Sequence, residues 1–262
     1  MTPYLAYFKI SFKQNTVYRI EWLLGIVNTC VQIFILIAIW KALYSGQRAM
    51  NGIDFSVVAT NFIISLGLSN VFYTNDFAIQ RKLNDGSIAN ELLKPIDFRK
   101  ILLANNLGEI VFKFFSNFLP SLAITSVTIG ILPPAGALAG FFYAISMILG
   151  FAVLWSISLI VQMTAFWIIN VWSVSTIKDV FIKVLSGIAL PLWFMPKPLL
   201  KIIEFTPFDS IYHIPMQIYL GRLGSAEIGF GMMKQIVWIA VLYGISVFMW
   251  HRGKEKIIMQ GG

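Results

Sequence analysis

Few residues in this sequence could do covalent chemistry. The two histidines, His213 and His251, lie far apart. Cys30 is the single cysteine and sits in an apolar run, so it forms no internal disulfide and no cysteine cluster suggests a metal. No HExxH or GxSxG pattern occurs, which leaves an intramembrane hydrolase or metalloprotease without converging groups. No GxxxxGK[ST] loop occurs, so ATP is not expected to bind here by that route. What remains is recognition. The segment Arg81–Lys100, RKLNDGSIANELLKPIDFRK, is a polar, basic island between hydrophobic runs.

The island reads as two short helices and a turn. Phe77–Asp85 is compatible with helix. Asn84-Asp85-Gly86 is a turn signal, with Gly86 suited to a left-handed position. Ser87 is placed to cap a second helix, Ile88–Leu93, which Pro95 ends. Asp97 is placed to cap the third hydrophobic span. This predicts Ile88, Leu92 and Leu93 projecting from a basic collar, either resting on lipid or docking a partner.

The elements that carry this loop are read as membrane spans. Of 262 residues, 58% are hydrophobic and 12% charged, about half the charge of a soluble domain. The mean hydropathy of +0.76 agrees. The expectation is one all-α membrane domain over 1–262. It begins with an amphipathic interfacial helix within 1–21, whose Lys9 and Lys13 alternate with aromatics. No uninterrupted apolar stretch there suggests a cleaved signal peptide. Spans are expected at about Trp22–Tyr44, Phe55–Thr74 and Ile101–Leu132, the last with Glu109 and Lys113 in its first turns. A long fourth helix covers Gly136–Trp172, a polar turn Ser173–Asp179, a fifth span Val180–Phe194 and a sixth Gln235–Trp250. The loop occupies 76–100. Segment 196–234 holds Pro196, Pro198, Pro207 and Pro215 and reads as broken, re-entrant or interfacial pieces on the outer face.

Six spans place both termini on one side. Lys41, Arg48, Lys197, Lys201, Arg222 and Lys234 then face the other side, and the remaining fourteen of the 20 basic residues face the side of the termini. That bias makes the termini and the island cytoplasmic. The net charge of +8 is read as basic loops facing anionic lipid, not as a nucleic-acid surface. Acidic and basic residues gather at span ends, while Asn28, Gln32, Asn61, Gln162 and Asn170 lie inside. Such amides bond between helices or touch cargo. Sparse charge argues against a proton- or sodium-coupled pump and suits amphipathic or apolar cargo. Trp193, Phe194, Trp238 and Trp250 read as interface anchors.

Gly86, Leu92-Leu93, Lys94 and Pro95 in that order resemble the cytoplasmic loop of ABC-2 type transporter permeases. Gly187, Pro191-Leu192, Phe194 and Pro196 resemble the fifth span of six-span bacterial permeases of this kind. Pro207-Phe208, Pro215 and Gly221 extend the match, as does Tyr18-Arg19 before the first span. Lys94 stands where arginine is usual, keeping charge without the bidentate fork. The resemblance implies an ABC exporter subunit in a bacterial cytoplasmic membrane. It implies two permease subunits, identical or related, each docked on a separate ATPase chain that binds ATP and magnesium. Arg81, Lys82, Asp85, Gly86, Leu92, Leu93 and Pro95 would couple to that ATPase. Asn61, Ser65, Gly187 and Pro191 would line the cargo path, although Gly187 also reads as close helix packing and Pro191 as a kink. An ATP-independent channel or carrier is the alternative.

Overall fold

The computed structural model describes residues 3–17 and 19–260, so Tyr18 of the Tyr18-Arg19 pair lies outside the described residues. Among the described residues the regular structure is helical apart from one two-stranded hairpin. Helix α1 covers Pro3–Val17 and α2 Arg19–Tyr44. The hairpin pairs Ala49–Met50 with Ile53–Asp54, and its Asn51-Gly52 turn has both φ angles positive, as a tight two-residue turn requires. Helix α3 follows at Phe55–Val71.

The loop contains α4 (Ala78–Asn84) and α5 (Ile88–Leu92). Gly86 between them has φ +72°, the left-handed conformation expected of it. Helix α6 (Phe98–Lys113) starts at Asp97, whose side chain accepts the Arg99 amide. Helix α7 (Leu119–Ile129) continues it through a π-helical turn at Phe114–Phe118. Pro120 explains the turn: it donates no amide hydrogen bond and its ring crowds the carbonyl four residues back. Widening the ladder by one residue absorbs that clash. It also turns Asn117 inward, where it accepts from Thr29 of α2 at 3.0 Å, while Asn70 of α3 donates to Thr29 at 3.1 Å.

Helix α8 (Ala137–Met163) returns and ends in a short 3-10 turn, Thr164–Phe166. The long fourth helix expected to run to Trp172 therefore stops earlier. The polar turn expected at Ser173–Asp179 is instead helix, because α9 runs Trp172–Leu185. Ser175, Lys178 and Ile182 recur at helical spacing and form its buried face. After α9 the chain breaks at Gly187, φ +88°, and makes a 3-10 turn at Leu192–Phe194. Segment 196–234 is broken, as its prolines predicted, into α10 (Lys197–Glu204) and α11 (His213–Tyr219) before α12 (Ser225–Gln260) begins.

Among the described residues, four helices are long and apolar enough to cross a membrane: Ile20–Tyr44, Phe98–Ile129, Ala137–Phe166 and Ser225–Lys256. At 1.5 Å per residue α3 is about 26 Å long and α9 about 21 Å, short of a bilayer core of about 30 Å. Helix α3 is the centre of the packing, with buried residues all round, and lies against α2, α7 and the π-helical turn. Helix α8 packs against α11 and α12. Gln235 of α12 clips that corner, donating to the carbonyls of Ser146 (2.9 Å) and Ser210 (2.8 Å). The Pro133-Pro134 connection meets the same end of the bundle: Ala135 donates to the Tyr219 carbonyl at 2.9 Å.

Candidate functional site

The loop is built as a rigid platform. Ile79 of α4 and Ile88 of α5 are buried in one apolar cluster with Phe98, Trp155, Leu159 and Trp250. Leu92 packs partly against that cluster. Only Leu93 of the expected trio projects freely, with 83% of its surface exposed. The collar is real but tied down: Glu91 accepts from Lys82 and from Lys94, each at 2.8 Å. Asp85 receives the Ser87 amide at 2.9 Å, so the aspartate side chain, not Ser87, closes the turn. Arg81, Gly86 and Pro95 lie on the exposed surface.

Burial alone would raise the Glu91 carboxyl, but hydrogen bonds from Lys82 and Lys94 outweigh it and hold the group below the usual glutamate range. A lowered folded value stabilises the loop above the ordinary pKa of about 4.3. That contribution is lost as pH falls through the lower folded value. Peptic cleavage within 82–94 is therefore expected to stay slow down to about pH 4 and to accelerate below it. Glu91→Gln should be cleaved readily at all these pH values; resistance equal to the parent chain would remove Glu91 as the clasp.

Helix α1 roofs the platform's exit. Lys94 donates to the Tyr7 hydroxyl at 3.3 Å, and the Asp97 amide donates to the Tyr4 hydroxyl at 3.2 Å. Ser11 donates to the Asn105 carbonyl of α6 at 2.7 Å. On the other flank α4 holds the α8–α9 connection: Gln80 donates to the Ile169 carbonyl at 2.8 Å and accepts the Val171 amide at 3.1 Å.

Just before α4 lies a buried ion pair that sequence reasoning missed. Asp76 is 2% exposed and Lys178 of α9 is 7% exposed, with Oδ2 and Nζ 2.6 Å apart. Ser175 donates to Asp76 at 2.6 Å, and Ser158 of α8 and Thr74 hydrogen-bond to its other oxygen. Lys178 also reaches the exposed Asp179 at 3.1 Å. The loop is thereby joined to α8 and α9 through charge. A second such pair, Asp209–Lys234 at 2.6 Å, joins the segment before α11 to α12. All four residues stand outside the spans read from the sequence; what that reading did not anticipate is their burial and pairing.

The family described as ABC-2 family transporter protein matches residues 4–261. The chain belongs to this family. No curated protein matches it closely enough to count as a relative. An ABC-2 protein is the membrane component of a transporter and not itself the catalytic subunit, and membership implies association with an ABC ATPase subunit.

Asn61, Ser65, Gly187 and Pro191, the four residues expected to line a cargo path, are all buried in this permease. Asn61 donates to the Gly187 carbonyl at 3.3 Å, so α3 touches the break after α9. Ser65 has its hydroxyl buried without a protein partner. Pro191 precedes the 3-10 turn. None of the four lines the neighbouring cavity of about 530 Å³, which uses Leu66, Ser69 and Asn70 of α3 with Gln32, Lys178 and Lys183. That cavity lies further along α3, toward Asp76.

Proposed function

We propose that this ABC-2 permease is the membrane subunit of an ATP-driven exporter for an amphipathic or lipid-like substrate. A separate ATPase chain binds ATP and Mg2+ and docks on the loop, with Arg81, Lys82, Asp85, Gly86, Leu92, Leu93 and Pro95 forming the coupling surface. The observation that carries this reading is Leu93, exposed at the C-cap of a helix that is ion-paired in place and anchored to the bundle. An apolar side chain held rigidly at the tip of a charged loop suits a protein pocket better than water.

Six crossings are proposed, with α3 and the broken α9 segment as the two short ones. The membrane is a bacterial cytoplasmic membrane, and both termini and the loop are cytoplasmic. A second permease, identical or related, would meet α2 and α9; exposed Leu24, Val27, Val31, Ile177 and Val180 supply apolar surface for it and for lipid. ATP binding closes the ATPase pair, and the loop passes the motion through Asp76 to Lys178 and α9. Nucleotide is then the ligand that biases two arrangements. Asn61, Ser65, Gly187 and Pro191 would open as α3 and the Gly187 break separate.

The test is purification of the complex from its source with and without Leu93→Asp. The parent chain should bring down an ATPase and its activity. The variant should remain monodisperse and bind that ATPase about thirtyfold more weakly, the ~2 kcal/mol of an interface hot spot. A well-folded parent chain that brings down no ATPase would sink this reading and favour a channel or carrier.

A further inference from the structure

Between the first turns of α2, the end of α3 and the π-helical turn lies a polar cavity of about 370 Å³. Thr29, fully buried, ties its walls together. The Thr29 hydroxyl donates to Asn117 Oδ1 at 3.0 Å and accepts from Asn70 Nδ2 at 3.1 Å. A hydroxyl has one proton to give, so one amide keeps a free NH2 and the other a free carbonyl oxygen. These are Asn117 Nδ2 and Asn70 Oδ1, neither with a partner among the described residues. Asn117 is only 9% exposed, yet neither free atom is sealed in as the Ser116 hydroxyl of the same wall is. Asn117 Nδ2 lies against Gly25 of α2, where a Cβ would stand 2.6 Å from it. The π-helical turn that presents Asn117 is itself a feature frequent at functional sites.

The rest of the wall narrows the ligand. Asn28 of α2 is exposed on the cavity, and its amide makes no hydrogen bond among the described residues. At 1.5 Å per residue it stands about 12 Å along the candidate span Ile20–Tyr44. Polar groups left uncommitted at that depth are expensive in lipid and mark a ligand or a water-filled cavity. Trp22 adds a half-buried ring, and Ser69 and Tyr73 add hydroxyls. Lys113, the lysine on this wall, is committed: it pairs with Glu109 at 2.6 Å and lies over the Tyr73 ring at 4.8 Å. A phosphate therefore finds no uncommitted lysine here among the described residues. A peptide bond offers one donor and one acceptor, fewer than this wall can use. An uncharged group that gives and takes hydrogen bonds at several points, with an apolar face for an indole, is a sugar ring.

We propose that this cavity binds the uncharged sugar headgroup of a glycolipid supplied by the surrounding leaflet. Ring hydroxyls accept from Asn117 Nδ2 and donate to Asn70 Oδ1, Asn28 takes a further hydroxyl, and the apolar face of the ring rests on Trp22. The volume falls within the range of small-molecule sites, about 300–1,000 Å³. The neighbouring cavity of about 530 Å³ shares Ser69, Asn70 and Tyr73 with this one and carries Leu36, Leu66 and Ile182. It gives the acyl chains an apolar continuation from the headgroup. Bound there, the sugar bridges α2, α3 and the π-helical turn, the three elements that Thr29 already joins.

The experiment is native mass spectrometry of the purified chain, with whatever subunits accompany it, prepared in lauryldimethylamine oxide so that no sugar detergent fills the site. The protein is released from phosphatidylcholine nanodiscs holding equal monoglucosyl diacylglycerol, diacylglycerol of the same chains and phosphatidylglycerol. The glucolipid should be retained over diacylglycerol by about tenfold, the worth of two ordinary hydrogen bonds. Asn28→Leu should lower that retention about fivefold, the worth of one. Its side chain holds nothing in the described fold, so it keeps the test valid if Gly25→Ala, which displaces Asn117 Nδ2, misfolds. Equal retention of glucolipid and diacylglycerol overturns the proposal, as does preference for phosphatidylglycerol or full retention in Asn28→Leu. Displacement of the glucolipid by equimolar methyl glucoside would assign the site to free sugar and overturn the lipid as its source. Lipid retention needs no ATPase, so this proposal and the docking reading fail separately.

Discussion

Lys178→Met is expected to destabilise the folded permease by about 3–5 kcal/mol, the usual cost of stranding one member of a buried ion pair. Lys178 is the only cation facing Asp76 among the described residues, and the hydroxyls of Thr74, Ser158 and Ser175 hydrogen-bond that carboxylate without neutralising it. Asp76→Asn should cost less. Asparagine keeps polar partners for the three hydroxyls, and Lys178 retains Asp179 at 3.1 Å. Replacing both, Asp76→Leu with Lys178→Met, should be milder than the sum of the single changes, because no charge is then left buried. Thermal unfolding followed by gel filtration in detergent reads the order. If the single changes simply add in the double variant, the two charges do not act as a unit. For coupling, Asp76→Asn is the informative variant: a folded complex with bound ATPase should hydrolyse ATP while the loop and α9 move independently.

This pair also marks where the sequence stops being legible. Local signals were legible. Gly86 in the left-handed region, Asp97 as a helix cap and the proline-broken segment 196–234 each follow from a residue's own backbone chemistry. The family was legible as well, since the ordered motifs span the match over 4–261. Burial of polar groups was not, because it depends on partners far away in sequence. Ser173–Asp179 looks like a turn by composition. Yet Ser175, Lys178 and Ile182 lie at helical spacing, and Asp76 opens the loop with no cation beside it in sequence. Together those were the available signal. Ile88 failed in the opposite direction: an apolar residue on a charged loop was assigned to the outside, and α5 instead turns it into the cluster around Trp155 and Trp250. Leu93 alone of the three stays exposed.

Gly108→Leu is expected to free α1 from the bundle. A Cβ at Gly108 would stand 2.4 Å from the Phe8 carbonyl oxygen and 3.0 Å from the Ser11 side chain. The first neighbour is backbone, so the helices must separate rather than a side chain rotate aside. Overpacking of this kind costs about 1–3 kcal/mol where a core absorbs it. Here the cheaper response is detachment, because α1 has no buried residues of its own and is held by its contacts along α6. The bonds of Ser11 to Asn105, Lys94 to Tyr7 and the Asp97 amide to Tyr4 would all be lost together. Tryptic cleavage after Lys9 and Lys13 should then quicken by at least about tenfold, while thermal unfolding of the remaining bundle shifts little. Gly108→Ala should give an intermediate result. Unchanged cleavage in the leucine variant would mean that α1 is seated by the bilayer and not by α6, and the platform would then be the loop alone.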